Sequence, residues 1–346
     1  MIISPGSYAV SELKMPVATL RDEATQRARD FAWDQWSQMG VSGAPPGTPE
    51  RRAADPEALL LFTLEVGRHD PRLFDEVLDW LVLNEHLISV QRLRNLCVDA
   101  VDRSLVDAAL TWVARWRPRA RLSSRSTAID RDEAPRPLFV GLSVPVGRLE
   151  PAFEAQGWLR PEFQPSKKSQ RPDLHAPINL ALRLRRLLGI GARAEVVRAL
   201  LTIDAPRISA GVLHASAGFT RQNVRESLQQ LQDAVVVTAS RVGGDELYAL
   251  RPFDWARLLD LDEGKIPQHH EWIQILGPLR LILRWLNHDD LEALSEYMRA
   301  SEARVLLNQL ESDLGFAGLA ADGQSAKGAE FWNEFVRTVE ALLGDL

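Results

Sequence analysis

The chain has little cysteine and no long apolar run. Cys97 is the single cysteine among 346 residues, so an intrachain disulfide is excluded and a reducing compartment is favoured. No apolar run approaches the roughly 18 residues that a membrane helix needs. The N-terminus also lacks the basic-then-apolar order of a signal peptide. These absences predict a cytoplasmic protein.

Catalytic signatures are missing as well. The sequence contains no H-E-x-x-H, cysteine pair, G-x-S-x-G or P-loop motif. Neighbouring side chains in His269–Glu271 and His288–Asp290 would point about 100° apart on a helix, which disfavours binding of one metal ion. Gly189–Gly191 lacks the preceding strand and the third glycine of a dinucleotide fingerprint. Asp260–Glu263 is interpreted as a solvated acidic turn and not as a nuclease carboxylate set. We therefore expect no enzyme, no metal site and no cofactor.

Helical patterns occupy both ends of the chain. The predicted N-terminal helices are Glu23–Met39, Pro56–Gly67, one opened by Pro71, one capped by Ser89, and Leu105–Trp116. The C-terminal part is predicted as amphipathic helices, with Pro278 kinking or starting one of them. Asp79–Leu96 could form a helix-turn-helix, but its acidic surroundings favour a helical dimerisation or partner domain. The ten tryptophans are predicted to be mostly core or interface anchors.

The central part has a different order of elements. The predicted elements are a helical run Arg183–Thr202, a short segment Ile208–Gly218, a helix Thr220–Ala234, and two strands, Val235–Arg241 and Glu246–Leu250. Gly243 and Gly244 signal a tight turn between the two strands.

The second helix of this part is amphipathic. Val224, Leu228 and Leu231 recur at helical spacing and predict one inward face. Thr220 is a good N-cap residue because its hydroxyl can accept from a free amide of the first turn. Gly218 suits a left-handed turn before that cap.

The segments Leu187–Leu201, Ala217–Val237 and Arg241–Leu250 together resemble winged helix-turn-helix regulators of the broad MarR and ArsR type. The resemblance covers about a fifth of the chain and implies that the helix Thr220–Ala234 enters the DNA major groove while the hairpin touches the backbone. Two features depart from the family pattern. His214 stands where a small residue is commoner, and Asp233-Ala234 replaces the usual glycine after the helix. The chain also lacks the cysteine pair or histidine cluster of metal-sensing members, so we do not expect metal sensing.

The fold class expected from these patterns is mainly α. We predict a helical N-terminal domain (1–158), a linker (159–176), the winged helix-turn-helix (177–252) and a helical C-terminal region (253–346).

Charge is unevenly distributed along the chain. The net charge of −6 divides into −6 over residues 1–114, +9 over 115–252 and −9 over 253–346. A basic excess at the proposed module is the footprint that phosphate contact requires.

An arginine-rich segment precedes the linker. Its arginines are Arg115, Arg117, Arg119, Arg121, Arg125, Arg131 and Arg136. Arginine suits bidentate phosphate contacts, whereas a flexible solvated loop is the equally weighted alternative. Leu138–Val146 is predicted to form one or two strands.

These features predict a DNA-binding transcriptional regulator that acts as a homodimer on double-stranded DNA. The residues expected to face base edges are Arg221, Gln222, Asn223 and Arg225. The residues expected to contact phosphates are Arg183, Arg185, Arg186, Arg193, Arg207 and Arg241. The large helical flanks suggest a toxin–antitoxin, phage-defence or stress operon with autoregulation. These flanks could also bind a protein partner. The alternative is a protein-interaction scaffold in which the winged helix is an assembly module.

Overall fold

A computed structural model describes residues 15–45, 47–48, 50–117, 134–143, 147–261, 266–319 and 328–346. These residues form fourteen α-helices and five short strands, so the chain is mainly α. Four predicted arginines, Arg119, Arg121, Arg125 and Arg131, lie outside the described residues, as do Asp262 and Glu263 of the acidic turn.

Five helices build the N-terminal part. They are α1 (Val17–Gln38), α2 (Pro56–Val66), α3 (Pro71–Asn84), α4 (Val90–Asn95) and α5 (Ala100–Trp116). The last four each begin after a polar residue whose side chain accepts a hydrogen bond from a backbone amide of the first turn. These N-cap residues are Asp55, Asp70, Ser89 and Asp99. The predicted starts at Pro56 and Pro71 and the predicted cap at Ser89 are confirmed.

A small irregular region follows. It contains β1 (Arg136–Pro137), α6 (Pro151–Glu154) and β2 (Trp158–Leu159), and β1 and β2 pair in parallel. The prediction of strands in Leu138–Val146 is wrong over residues 138–143, which form a bend and a turn, while 144–146 lie outside the described residues.

The predicted linker lies along the N-terminal helices. The backbone amides of Lys167 and Ser169 donate to the Asp79 carboxylate at 2.7 and 3.0 Å, and the Gln170 amide donates to the Gly40 carbonyl at 2.8 Å. Residues 159–176 therefore form a strap held against the protein surface.

The C-terminal helices share a hydrophobic core with the N-terminal ones. They are α11 (Pro252–Leu258), α12 (Trp272–Leu286), α13 (Glu296–Phe316) and α14 (Phe331–Gly344), and all but α11 contribute to this core. Helix α12, which contains Pro278 in its interior, packs on α2, and Trp272 Nε1 donates to the Ala53 carbonyl at 2.9 Å. The two flanks, separate in the sequence, thus form one helical body. The prediction that tryptophans anchor the core holds for Trp36, Trp80, Trp112, Trp158 and Trp272, which are fully buried.

A second hydrophobic core lies in the central part. Its elements are α7 (Leu180–Leu188), α8 (Ala192–Thr202), β3 (Ile208–Ser209), α9 (Ala210–Ala217), α10 (Arg221–Asp233), β4 (Thr238–Val242) and β5 (Asp245–Ala249). The three strands form an antiparallel sheet in the order β3-β5-β4.

Two predictions for the central part need correction. The helical run Arg183–Thr202 is broken into α7 and α8, because Gly189 adopts a left-handed φ of 84°. The first hairpin strand begins at Thr238, and Val235 adopts a positive φ of 58° in the turn after α10. The valines at 235–237 prefer a strand, but the turn in which the chain leaves α10 occupies these positions.

Candidate nucleic-acid interface

Helix α10 is amphipathic, as its spacing predicts. Val224, Leu228 and Leu231 are buried, while Arg221 and Arg225 are exposed on the opposite side. The exposed face also carries Gln222, Glu226 and Gln229. It is therefore a surface of guanidinium and amide groups with one carboxylate, that of Glu226, which accepts from Gln222 at 2.9 Å.

The start of α10 confirms two local predictions. Thr220 caps the helix, since its hydroxyl accepts from the Asn223 amide at 3.3 Å. Gly218 ends α9 with a φ of 66°. The Asn223 side chain is half-buried and contacts the Thr220 hydroxyl, so it serves the cap and is less available to a partner than its neighbours.

The two exposed arginines of α10 lie at its two flanks. Arg221 lies close to His214 of α9, and burial together with this arginine lowers the pKa of His214. Arg225 lies on the side of the hairpin, near Tyr248. Burial and a 2.7 Å hydrogen bond to Glu246 raise the pKa of Tyr248 to about 12, and Arg225 only partly opposes this rise.

The hairpin carries mixed charge. Arg241 faces Glu246 across the β4–β5 ladder, and Asp245 starts β5 directly after the glycine turn. Gly243 and Gly244 have φ values of 64° and 122°, which confirms the predicted tight turn. The tip therefore holds one arginine beside two carboxylates.

Arg185 does not belong to the surface, contrary to the sequence-based expectation. Its side chain is 1% exposed and donates to Glu57 at 2.6 Å and to Glu195 at 2.7 Å. A phosphate cannot reach this guanidinium. The other predicted phosphate contacts are exposed or half-buried: Arg183, Arg186, Arg193, Arg207 and Arg241. Arg193 is already engaged by the side chain of Gln230 of α10.

Arg185 belongs to a buried charge network that the sequence analysis did not predict. Its six members are Asp55, Glu57, Arg92, Arg185, Glu195 and Arg198, and all are at most 3% exposed. Three carboxylates balance three guanidinium groups, which is how ions persist in a low-dielectric interior. The available signal was Glu57 within the otherwise apolar start of α2, since a charge there needs a buried partner.

The network also holds the α9–α10 turn. Arg92 Nε donates to the Ala217 carbonyl at 2.6 Å, and Arg198 Nη2 donates to the Ser216 carbonyl at 2.9 Å. Both carbonyls belong to the last turn of α9, where a cation is stabilised by the negative end of the helix dipole. Arg92 belongs to α4, and its partners are Asp55, the N-cap of α2, and Glu57 in the first turn of α2. The α9–α10 turn is therefore fixed directly to the helical body.

The paired histidines have separate partners. His269 contacts the Glu271 carboxylate at 3.0 Å, whereas His270 Nε2 lies 2.9 Å from the Asp345 carbonyl oxygen. Within the described ranges, no group of three or more His, Cys, Asp or Glu side chains is arranged to hold a metal ion. In the same part of the chain, no helix is long and apolar enough to cross a bilayer.

Comparison with known proteins gave no relative: no family model, curated protein or solved structure significantly matches this chain.

Proposed function

We propose that the chain is a DNA-binding transcriptional regulator whose residues 177–252 act as a winged helix-turn-helix. The observation that carries the proposal is the exposed face of α10. There Arg221 and Arg225, neither of them ion-paired within the described residues, share the exposed surface with Gln222. The side-chain amide of Gln222 donates to Glu226 at 2.9 Å. Arginine reads guanine and glutamine reads adenine in the major groove.

The order of elements supports the same proposal. A helix, a short strand, two helices and a hairpin follow one another, and β3 pairs with β5. In winged helix-turn-helix proteins this order presents the third helix to DNA and the hairpin to the flanking backbone. Arg241 would then approach a phosphate from the hairpin. Action as a cytoplasmic homodimer, in a toxin–antitoxin or defence operon with autoregulation, belongs to the same proposal.

The test is duplex binding measured by fluorescence anisotropy. The labelled duplex covers the DNA upstream of the protein's own coding region, and unrelated DNA of equal length is the competitor. Salt is varied between about 50 and 200 mM, a range over which phosphate contacts weaken binding steeply. The variant Arg221→Ala/Arg225→Ala should bind at least about tenfold more weakly, since each arginine contributes about 1–3 kcal/mol.

The matched control is Arg171→Ala/Arg337→Ala, which removes one exposed arginine of the strap and one of helix α14. This variant should bind like the wild-type protein. Equal losses in the two double variants, or no preference for the upstream duplex, would contradict the proposal.

A second function has one observation in its favour. Asp245 and Glu246 place two carboxylates at the hairpin, where a DNA-binding wing would meet phosphates. An assembly module that recognises a basic protein partner would use this tip directly. Asp245→Asn/Glu246→Gln should tighten DNA binding if the hairpin lies near phosphates, and should leave it unchanged if the hairpin serves a protein partner.

A further inference from the structure

A cleft of 630 Å³ lies between the α9–α10 turn and the helical body. Gly218, Phe219 and Arg221 form one side, while Gln274 of α12 and Asp313 of α13 line the others. Its volume falls within the range of small-ligand sites.

The inner walls of the cleft are held in place without a ligand. Gln274 Nε2 donates to the Ala215 carbonyl at 3.2 Å, and Asn95 Nδ2 donates to the Gly218 carbonyl at 3.4 Å. The bond from Arg92 to Ala217 fixes the same turn from below. The site is thus preorganised, which lowers the entropy cost of binding.

Polar groups of the cleft remain unused. Within the described residues, the Asp313 carboxylate forms no hydrogen bond or ion pair, and burial raises its pKa. Gln274 is 3% exposed, yet its Oε1 accepts no hydrogen bond. Arg221 is likewise unpaired in the part of the chain described. A buried polar atom without a partner is rare, so the Gln274 oxygen, which lies at the same cleft as the half-buried Asp313 and the exposed Arg221, indicates a missing ligand.

The charges of the cleft define the ligand. Asp313 suits an ammonium group, Arg221 suits a carboxylate, and the two are not ion-paired with each other in the described structure. Phe219, Ile273 and Phe316 supply apolar parts of the lining of the same cleft. We propose that this cleft binds a zwitterion of the size of an amino acid or a dipeptide, with an apolar side chain.

A regulatory role follows, and this part rests on the proposed DNA-binding function. Arg221 lines the cleft and also lies on the exposed face of α10, so ligand carboxylate and DNA would compete for one guanidinium. By linkage, the ligand should weaken DNA binding by the same factor by which DNA weakens ligand binding.

The binding test uses the full chain and isothermal titration calorimetry. The probes are the twenty L-amino acids and the glycyl dipeptides Gly-X. At least one probe should bind with Kd at or below about 1 mM, and its des-amino and decarboxylated analogues should bind at least about tenfold more weakly. Absence of binding by every probe, or equal binding of either analogue, would overturn the assignment.

Three variants and one control variant separate this inference from the proposed function. Asp313→Asn should lose at least about tenfold in probe affinity and keep DNA affinity, whereas the neighbouring exposed Glu311→Gln should change neither. Arg225→Gln should lose DNA affinity alone, since Arg225 does not line the cleft. Arg221→Gln should lose both. Probe binding that is insensitive to Asp313→Asn would refute the assignment of this cleft as the ligand site. Loss of DNA binding alone would not refute it.

Discussion

The Nε atom of Arg92 donates a 2.6 Å hydrogen bond to the carbonyl oxygen of Ala217. Arg92 belongs to the core of the helical body, and Ala217 ends the helix before α10. The remaining nitrogens of Arg92 bind Asp55 and Glu57. One guanidinium therefore joins the two hydrophobic cores, and it fixes how α10 is presented.

Arg92→Met should strongly destabilise the protein. The change leaves Asp55 and Glu57 partly uncompensated in the interior, at a cost of about 3–5 kcal/mol in the free energy of unfolding. Urea denaturation followed by tryptophan fluorescence measures this quantity. Arg94→Met on the same helix is the control. Arg94 is 37% exposed and pairs with Asp107 at 3.3 Å, so its loss should cost less than about 1 kcal/mol. Similar costs for both variants would contradict this role of Arg92.

Stability should fall in acid because of the buried network. Burial acts to raise the pKa of Glu195, but Arg185, Arg92 and Arg198 outweigh it and lower the pKa from 4.5 to about 2. A carboxyl whose pKa is lower in the folded state stabilises the fold above its unfolded pKa, and this stabilisation disappears as the pH falls toward the folded pKa. The free energy of unfolding should therefore decrease from about pH 4.5 to about pH 2.

Glu195→Gln should reduce this pH dependence, because the glutamine cannot titrate. Glu226→Gln, a change at an exposed position of α10, should leave it unchanged. Urea denaturation at a series of pH values compares the three proteins. An unaltered acid slope in Glu195→Gln would show that other carboxyls dominate.

Gly218→Ala should destabilise the protein more than Gly243→Ala. Both glycines have a left-handed φ, of 66° and 64°, which costs an alanine about 1–2 kcal/mol. At Gly218 an added Cβ would also lie 3.0 Å from Arg92 Nε and 3.1 Å from Ile273 Cδ1, whereas nothing lies within 4 Å at Gly243. The difference in unfolding free energy between the two variants measures the tight contact alone, and a difference near zero would contradict the contact.

Val235→Gly should stabilise the protein. Val235 follows the end of α10 with a φ of 58°; its amide donates to the Gln232 carbonyl, and the Val236 amide donates to the Leu231 carbonyl. This is a Schellman motif, whose left-handed position favours glycine. Since Val235 is 80% exposed, relief of backbone strain should exceed the entropy cost of glycine by about 0.5–1 kcal/mol. Val242→Gly in β4 should be destabilising, and thermal unfolding compares the two variants. A lower melting temperature for Val235→Gly than for the wild-type protein would contradict the strain.

Much of the local structure of the central part could be predicted from neighbouring residues alone. The helix cap at Thr220 and the turns at Gly218 and Gly243-Gly244 could be predicted, because caps and tight turns depend on neighbouring backbone groups. The inward face of α10 could be predicted because the helical spacing of its apolar residues defines it. The break between α7 and α8 could not be predicted, because a glycine inside a helical pattern is tolerated in the helix and does not by itself specify a left-handed φ.

Which charged residues reach the surface depends on how distant segments pack together. Arg185 and Arg186 are neighbours in sequence, yet one is buried with Glu57 and the other is exposed. Their difference depends on a carboxylate far away in the chain, which no local pattern specifies. For the same reason, the sequence could not show that the two helical flanks share one core. The sequence likewise could not predict that Asp313 and Arg221 line one cleft, because such a site forms only when distant segments pack together.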